Sequence, residues 1–477
     1  MSDSDIATDI TDVIVIGLGP GGEEVAGRLA ESGRSVIGID ERLVGGECPY
    51  FGCIPSKMIL RAAGLLAEAR RVDALAGHAS VQPDWTPVAT RIRDEATDDW
   101  DDRAAVERLE ATGARFVRGS AALAGREADG TLLVRVGEQT LRARRVVLNT
   151  GTAPALPPID GLADVRALGD GPDGPVWTNR DALRATTAPG SLVVLGGGAI
   201  GCELAQGFAR FGTRVTVVEH GPRLLMPEEP EASAVLAEVF GREGIAVHAN
   251  VAVSSVSAVG DGVQVQLDDG TTLTGEKLLV AAGRVPNLAH LGLQALGLDP
   301  SAHSLPVDDG MQVQHGGAAV DGLYAIGDIT GRGAFTHVSV WQARALIDSW
   351  LGHDVDFGGY DALAWATFTD PEVGRVGMSE QQARAAGLRV RTGGEPMSAT
   401  PRGWIHGPGN DGFVKLVEDA DRGVLVGATV VGPYGGEILG LLTLAVHARV
   451  PTRRLASMHY TYPTLHRAVL DAVRALA

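Results

Sequence analysis

The chain is poor in cysteine, lysine, aromatic residues and positive charge, and it has no long apolar run. Three cysteines in 477 residues cannot make a disulfide scaffold. A net charge of -18 argues against a nucleic-acid partner, because binding phosphate needs a basic surface. No window is long and apolar enough to span a bilayer. The N-terminal stretch MSDSDIATDITD lacks the basic and apolar regions of a secretory signal, so a cytoplasmic location is expected. Basic residues are nearly all arginine. Lys57 is therefore conspicuous, since it lies beside two of the three cysteines. The length exceeds what one core supports and predicts two to four domains.

Those two cysteines, Cys48 and Cys53, lie in GGECPYFGCIPSK. Three readings are open from the residues. Free cysteines most often behave as small buried hydrophobes. A metal site is disfavoured, because no further cysteine is near and no histidine sits at ligand spacing, so no metal ligand is assigned. The third reading is a redox-active pair. Cys202 lies in a predicted helix and reads as a packing residue.

The richest signal is glycine. DVIVIGLGPGGEEVAGRLAESGRSVIGID reads as strand, tight turn, helix, strand. Gly17, Gly19 and Gly22 hold the G-x-G-x-x-G spacing. The first allows the turn, the second lets backbone approach a pyrophosphate, and the third lets helix pack on strand. Asp40 ends the second strand, placed for a ribose hydroxyl. The pattern returns in SLVVLGGGAIGCELAQGFARFGTRVTVVEH, with Gly196, Gly198, Gly201 and the strand-ending Glu219. One such motif is weak evidence, but two in full strand–helix–strand context predict two bound dinucleotides, each pyrophosphate at a helix N-terminus. A carboxylate at Glu219 repels a 2′-phosphate and favours NADH over NADPH, with Arg214 and Arg223 near enough in sequence to blunt the preference.

Between the two units, RDEATDDWDDRAAVERLEATGARFVRG predicts a charged amphipathic helix leading to a strand, followed by short alternating strands. GLYAIGDIT puts Asp328 just after an apolar strand. A last block, from near Tyr360, shows strand-like runs and then helices.

Taken together, GLGPGG, GGECPYFGCIPSK, NTGTAPALPP, GGGAIGCELA, AAGRVPN, GLYAIGDIT, FTDPEVGRVGMSE and VVGPYGGEI resemble the flavin-dependent pyridine nucleotide–disulfide oxidoreductases, the group of dihydrolipoamide dehydrogenase, glutathione reductase and mercuric reductase. The resemblance runs over nearly the whole chain. It implies an α/β fold with two Rossmann-like dinucleotide-binding domains and an α+β C-terminal dimerisation domain. The expected boundaries are 1–155 and 286–358 for the FAD-binding domain, 156–285 for the NAD(P)H-binding domain and 359–477 for the interface domain. It implies FAD at the first glycine motif, NAD(P)H at the second, and a homodimer. Thr150, Gly151, Asp328 and Arg284 match cofactor-contacting positions. Glu203 matches the acid that pairs with the flavin-adjacent lysine, here Lys57. Cys48 matches the interchange cysteine, which meets the substrate, and Cys53 the charge-transfer cysteine, which meets the flavin.

Helix geometry constrains that assignment. Residues five apart on an ideal helix have Cα atoms about 8–9 Å apart, whereas a disulfide needs about 4.4–6.8 Å. The segment must wind off-ideal, with Pro49, Gly52 and Pro55 as the means. A helix running on from Pro55 is expected to present its positive end to Cys53 and favour the thiolate.

One departure limits the functional reading. The resemblance implies a His-Pro-Thr motif, from the partner subunit, with a Glu five positions after the His. Here HYTYPTLHRAVLDAVRALA aligns Tyr462 with the His and Arg467 with the Glu. An unperturbed tyrosine is only about 0.1 % phenolate at neutral pH, so Tyr462 needs help to act as a base. Arg467 is expected to supply it by favouring the anion, to hold an anionic substrate, or to stabilise a Cys48 thiolate. His466 is a candidate substitute, sharing a face with Tyr462 on a helix running from Pro463; His459 is another. Tyr462 as a simple interface residue is the bland alternative. The resemblance to mercuric reductases implies a C-terminal cysteine pair, but VRALA has none. Soluble transhydrogenases can lack the second cysteine, but Cys53 is present.

The expectation is a flavoprotein oxidoreductase in which NADH reduces the flavin and the flavin reduces the Cys48–Cys53 disulfide, serving a small disulfide substrate. A diaphorase passing electrons to a quinone is the alternative, and a redox sensor with little turnover is a third. SATPRGWIHGPGND, with Arg402, Trp404 and His406, is either an acceptor-site wall or a loop.

Overall fold

The computed structural model describes residues 10–354 and 358–476. Residues 1–9, on which the expected cytoplasmic location rests, lie outside the described residues. Two compact units divide the chain. The first comprises Met1–Pro55, Ile92–Pro154 and Arg284–Phe357, and the second Ser56–Arg91, Ala155–Gly283 and Gly358–Ala477.

In the first unit, the apolar run Val13–Ile16 is fully buried because its strand, Ile10–Ile16, lies inside a parallel sheet covered on both faces. The strand order is 312–315, 318–325, 139–148, 10–16, 36–40, 115–118, with an antiparallel 121–126/132–136 excursion off strand 139–148. Strand 10–16 pairs in parallel with 36–40 and with 139–148. Helix Pro20–Glu31 packs closely on helix Thr336–Leu351, where a Cβ at Gly21 would lie 2.3 Å from Ser339 Oγ.

The predicted continuous helix before residue 115 is broken. Helix Thr86–Arg91 runs into a wide π turn at Ile92–Ala96, and a new helix starts at Arg103. Between them Asp98, Asp99 and Trp100 all have positive φ, and Thr97 Oγ1 donates back to Ile92 O. The break has a job. Trp100 Nε1 donates to Tyr50 O, and buried Asp102 accepts from Val44 N and Arg118 Nη2, so the loop braces the cysteine segment from two sides.

In the second unit, a five-stranded parallel sheet has the order 246–249, 214–219, 191–195, 277–280, 176–177. An antiparallel three-stranded sheet, 253–259, 262–267 and 272–275, accompanies it. Residues 56–91 are carried here. Trp85 stacks on Phe208 and donates its indole N–H to Ala185 O. The C-terminal block is a five-stranded antiparallel sheet, order 364–367, 372–377, 424–432, 413–419, 390–396, with helices Gly435–His447 and Arg467–Arg474 packed on it. Lys415, buried on this sheet, pairs with Glu229, Glu231 and Glu380. Lys277 donates to the carbonyls of Asp173 and Gly174.

Candidate functional site

Both glycine loops use one steric solution. Gly17 has φ +90°, and a Cβ there would lie 2.4 Å from Asn149 O; Gly196 has φ +112°, with Ala281 O at the same 2.4 Å. A Cβ on Gly22 would lie 2.1 Å from Gly17 O, and one on Gly201 2.0 Å from Gly196 O. The middle glycines differ in kind. Gly19 has only Asn149 Nδ2 near, at 3.3 Å, and Gly198 has nothing within 4 Å. Each is the N-cap of a twelve-residue helix. Open space at a helix N-terminus, walled by glycines that cannot change, fits a dinucleotide pyrophosphate at each loop.

The strand-ending acids also correspond. Asp40 accepts from Leu18 N and Arg42 N at 2.8 Å, and Glu219 from Gly197 N and Gly221 N at 2.6 Å. Each carboxylate ties the glycine loop to the end of the neighbouring strand. Burial raises the Asp40 carboxyl above its ordinary range, opposed by those backbone N–H groups. Arg223 is occupied by the carbonyls of Met226 and Glu228. Arg214 opens the strand that Glu219 closes, about 16 Å away.

Near Asp328 a chain of polar contacts forms. Thr152 Oγ1 donates to Asp328 Oδ2 at 2.8 Å and accepts from Arg284 Nε at 2.7 Å. Arg284 also donates to Thr152 O and, at 3.2 Å, to Glu47. Burial pushes the Asp328 carboxyl up, against Thr152 and Arg284. Thr150 Oγ1 donates to Asn287 O, and Gly151 O accepts from Asn287 N.

The cysteine segment is wound off-ideal, as the spacing argument requires. Helix Glu47–Phe51 stops at Gly52, whose φ of -142° and ψ of -112° leave the helical region, and a second helix starts at Cys53 and runs to Arg71. The expected start at Pro55 is corrected: proline suits the first turn, where its missing N–H has no helical partner to lose, so the helix begins ahead of it. Cys48 and Cys53 are both half-buried thiols. The neighbouring Cys53 side chain, together with burial, pushes the Cys48 thiol well above its ordinary value. Thr336 Oγ1 lies 3.3 Å from Cys53 Sγ and also reaches Cys48. Cys202 is buried and donates to Gly197 O.

One turn beyond Cys53 on the same helix, Lys57 Nζ sits 2.8 Å from Glu203 Oε2 and over the Phe368 ring at 4.6 Å. The Glu203 side chain is 7 % exposed, and its other oxygen accepts from Phe368 N at 2.9 Å.

Tyr462 is 67 % exposed in a turn. The helix expected from Pro463 starts instead at Arg467, with His466 as its N-cap. A residue before proline is driven out of the α region, and Thr464 Oγ1 closes the turn on Thr461 O. Tyr462 and His466 therefore share no helical face; His459 is exposed. Arg467 Nε is bound to both oxygens of Asp471, at 3.0 and 2.9 Å. SATPRGWIHGPGND forms a short helix, Pro401–His406, with Trp404 76 % exposed. Among the described residues no group of three or more His, Cys, Asp or Glu is arranged to hold a metal ion, and no helix is long and apolar enough to cross a membrane.

Residues 11–343 match the family described as pyridine nucleotide-disulphide oxidoreductase, and residues 363–473 match its dimerisation domain. The chain belongs to this family. Among its relatives, a dihydrolipoyl dehydrogenase of Halobacterium salinarum is 33 % identical over 98 % of this chain and 96 % of its own. A mercuric reductase of Shigella flexneri is 32 % identical over 95 % of this chain and 78 % of its own. Among solved structures, LpdA from Mycobacterium tuberculosis superimposes with a TM-score of 0.84 at 28 % identity, covering 98 % of this chain and all of that one. The HOCl-induced flavoprotein disulfide reductase RclA from Escherichia coli gives 0.82 at 25 %, covering 97 % and 99 %. As a pyridine nucleotide-disulphide oxidoreductase, the chain is a flavoprotein enzyme of FAD and NAD(P)H acting on a disulfide, with the family's α/β fold and a C-terminal dimerisation domain that supports a homodimer.

Several site residues escaped the sequence reading. Asn149 and Ala281 wall the glycine loops, Thr152 and Glu47 complete the Arg284 chain, and Thr336 meets the thiols. Each acts through a long-range contact that no local spacing announces.

Proposed function

We propose that this chain is a homodimeric, NADH-linked, FAD-dependent reductase of a small disulfide, with Cys48 and Cys53 as its redox pair. The observation that carries the reading is the break at Gly52 between two half-buried cysteines, with Thr336 Oγ1 3.3 Å from Cys53 Sγ. Gly17, Gly19, Gly22, Asp40, Thr150, Gly151, Asp328 and Arg284 would hold FAD, and Gly196, Gly198, Gly201 and Glu219 the nicotinamide nucleotide. FAD, when bound, supplies the two-electron relay between the nucleotide and the sulfur pair. Lys57, fixed by Glu203, places a positive charge where negative charge develops. Cys48 meets the substrate and Cys53 faces the flavin. NADH is favoured over NADPH because Glu219 sits at the loop while Arg223 is committed elsewhere and Arg214 lies at the strand's far end.

Tyr462 and Arg467 favour a second reading. A phenol at Tyr462 and a guanidinium at Arg467, the latter engaged by Asp471, do not reproduce a histidine base with its carboxylate, which a quinone-reducing diaphorase would not need. Anaerobic titration with NADH separates the two. A long-wavelength thiolate-to-flavin band at two-electron reduction, with turnover lost in Cys48→Ser, supports disulfide reduction. Bleaching without that band, with turnover kept in Cys48→Ser, supports the diaphorase.

A further inference from the structure

The segment that carries Cys48 has little stability of its own. Cys48 lies in a five-residue helix, Glu47–Phe51, whose N-cap is Gly46 at φ +67° with no side-chain cap and whose C-cap is Gly52. Gly45, just before it, has φ +106°. A helix that short does not persist in water alone, and glycine at both ends leaves its orientation free. Cys53, by contrast, opens a nineteen-residue helix. Of the two sulfurs, Cys48 is the one whose place must be fixed from outside. Resting on the reading of Cys48 and Cys53 as the redox pair, we propose that the turn at 97–102 fixes it, with Trp100 as the positioning residue that keeps Cys48 within closing distance of Cys53 and so sets the reduction potential of the pair.

Two anchors come from this turn. Trp100 Nε1 donates to Tyr50 O at 3.2 Å, a carbonyl in the last turn of the short helix, where helical backbone stops at Gly52 and terminal carbonyls need outside donors. Asp102 Oδ2 accepts from Val44 N at 2.7 Å and is itself held by Arg118 Nη2 at 2.6 Å. The anchors bracket residues 44–50, and Cys48 lies between them. Arg284 Nη2 adds a hold on Glu47 at 3.2 Å. The turn itself is strained. Asp98, Asp99 and Trp100 have φ of +47°, +54° and +58°, and left-handed backbone is uncommon for a residue as bulky as tryptophan. Buried Thr97 holds the turn in place, with Oγ1 donating to Ile92 O and Arg93 O, while Asp99 N donates to Arg93 O at 2.7 Å. Such backbone persists where its surroundings over-determine it, and it clusters at functional sites. Here Trp100 and Asp102 both reach the segment that carries Cys48.

Closing the pair removes two protons and two electrons from the Cys48 and Cys53 thiols and forms one S–S bond. A disulfide co-reactant accepts both and becomes a dithiol. The equilibrium follows the effective concentration of one thiol at the other, so a tether that narrows the range of Cys48 favours the disulfide and lowers its potential.

The test equilibrates the holoenzyme, without NADH, in stepped mixtures of reduced and oxidised dithiothreitol. Acid quench, alkylation and mass-mapped Cys48 and Cys53 peptides give the paired fraction. Trp100→Phe keeps a ring and removes the donor. Loss of that bond should lower the pairing equilibrium about tenfold, a rise of about 30 mV in potential. Asp102→Ala, which frees Val44 N, should move the potential the same way, and it decides the question if Trp100→Phe does not fold. Trp85→Phe is the control. It removes the same kind of bond, from Trp85 Nε1 to Ala185 O, in the second unit, and should lower the melting temperature while leaving the potential alone. An unshifted potential in the Trp100 and Asp102 variants, or an equal shift in Trp85→Phe, overturns the proposal. Wild-type sulfurs that stay unpaired in every mixture would instead refute the redox-pair reading itself.

Discussion

Gly198→Ala and Gly201→Ala should separate binding from folding within one loop. At Gly201 the added methyl would sit 2.0 Å from Gly196 O, more than an ångström inside contact, with Val194 Cγ1 also at 3.4 Å. The helix cannot retreat without dragging its buried face off the strand Ser191–Leu195, so the overpacking cost is about 3 kcal/mol. At Gly198 the φ of -77° suits any residue and the methyl meets nothing, so stability should change by less than about 0.5 kcal/mol. That methyl instead occupies the space where a pyrophosphate reaches the backbone. A weakening of NADH binding on the order of tenfold, about 1.4 kcal/mol, is expected. Thermal melts of both variants, with NADH KM and flavin reduction at limiting NADH, give the comparison. If Gly198→Ala melts as early as Gly201→Ala, or keeps wild-type KM, the assignment of Gly198 to the nucleotide is wrong.

The first loop should repeat this split: Gly19→Ala keeps its fold but loses FAD on gel filtration, whereas Gly22→Ala yields little folded protein. Glu203→Gln should slow flavin reduction by NADH about tenfold by weakening the charge-assisted bond to Lys57, seen by stopped-flow; an unchanged rate would remove Lys57 from the chemistry. Asp328 is pushed above 3.8 by burial, so the folded chain binds its proton more tightly than the unfolded one. Its ionisation therefore costs stability as pH rises through the folded value. Asp328→Asn should leave the apoprotein at least as stable as wild type at neutral pH while FAD retention falls; a lower apoprotein Tm would contradict that sign. Arg467→Gln breaks a half-buried i,i+4 pair with Asp471, so melts should fall only slightly, and a change in disulfide turnover beyond that would give Arg467 a role toward substrate.

The glycine loops were legible because their constraint is local: three positions and a strand-ending acid describe a turn whose clashes are with the chain's own next strands. The break between Cys48 and Cys53 followed from helix geometry and Gly52. The interruption at Asp98–Trp100 was not legible, since its amphipathic pattern is sound on either side and the loop exists to reach Tyr50 and Val44. The helix start at Arg467 is signalled in the sequence by Pro463, which disfavours helical backbone at Tyr462, although the i,i+4 spacing of Tyr462 and His466 suggests a shared helical face. Thr336 carried no signal at all. A threonine at a helix start is ordinary until the fold sets it against a sulfur far away in sequence.

Scarce lysine has an outcome beyond composition. Lys57 is locked to Glu203, Lys415 sits among three carboxylates, and Lys277 is spent on two carbonyls. Positive charge at the surface is thus carried by guanidinium groups, which acyl donors and amine-directed crosslinkers leave alone. Acetylation, which erases a lysine's charge, has only three lysines to act on here.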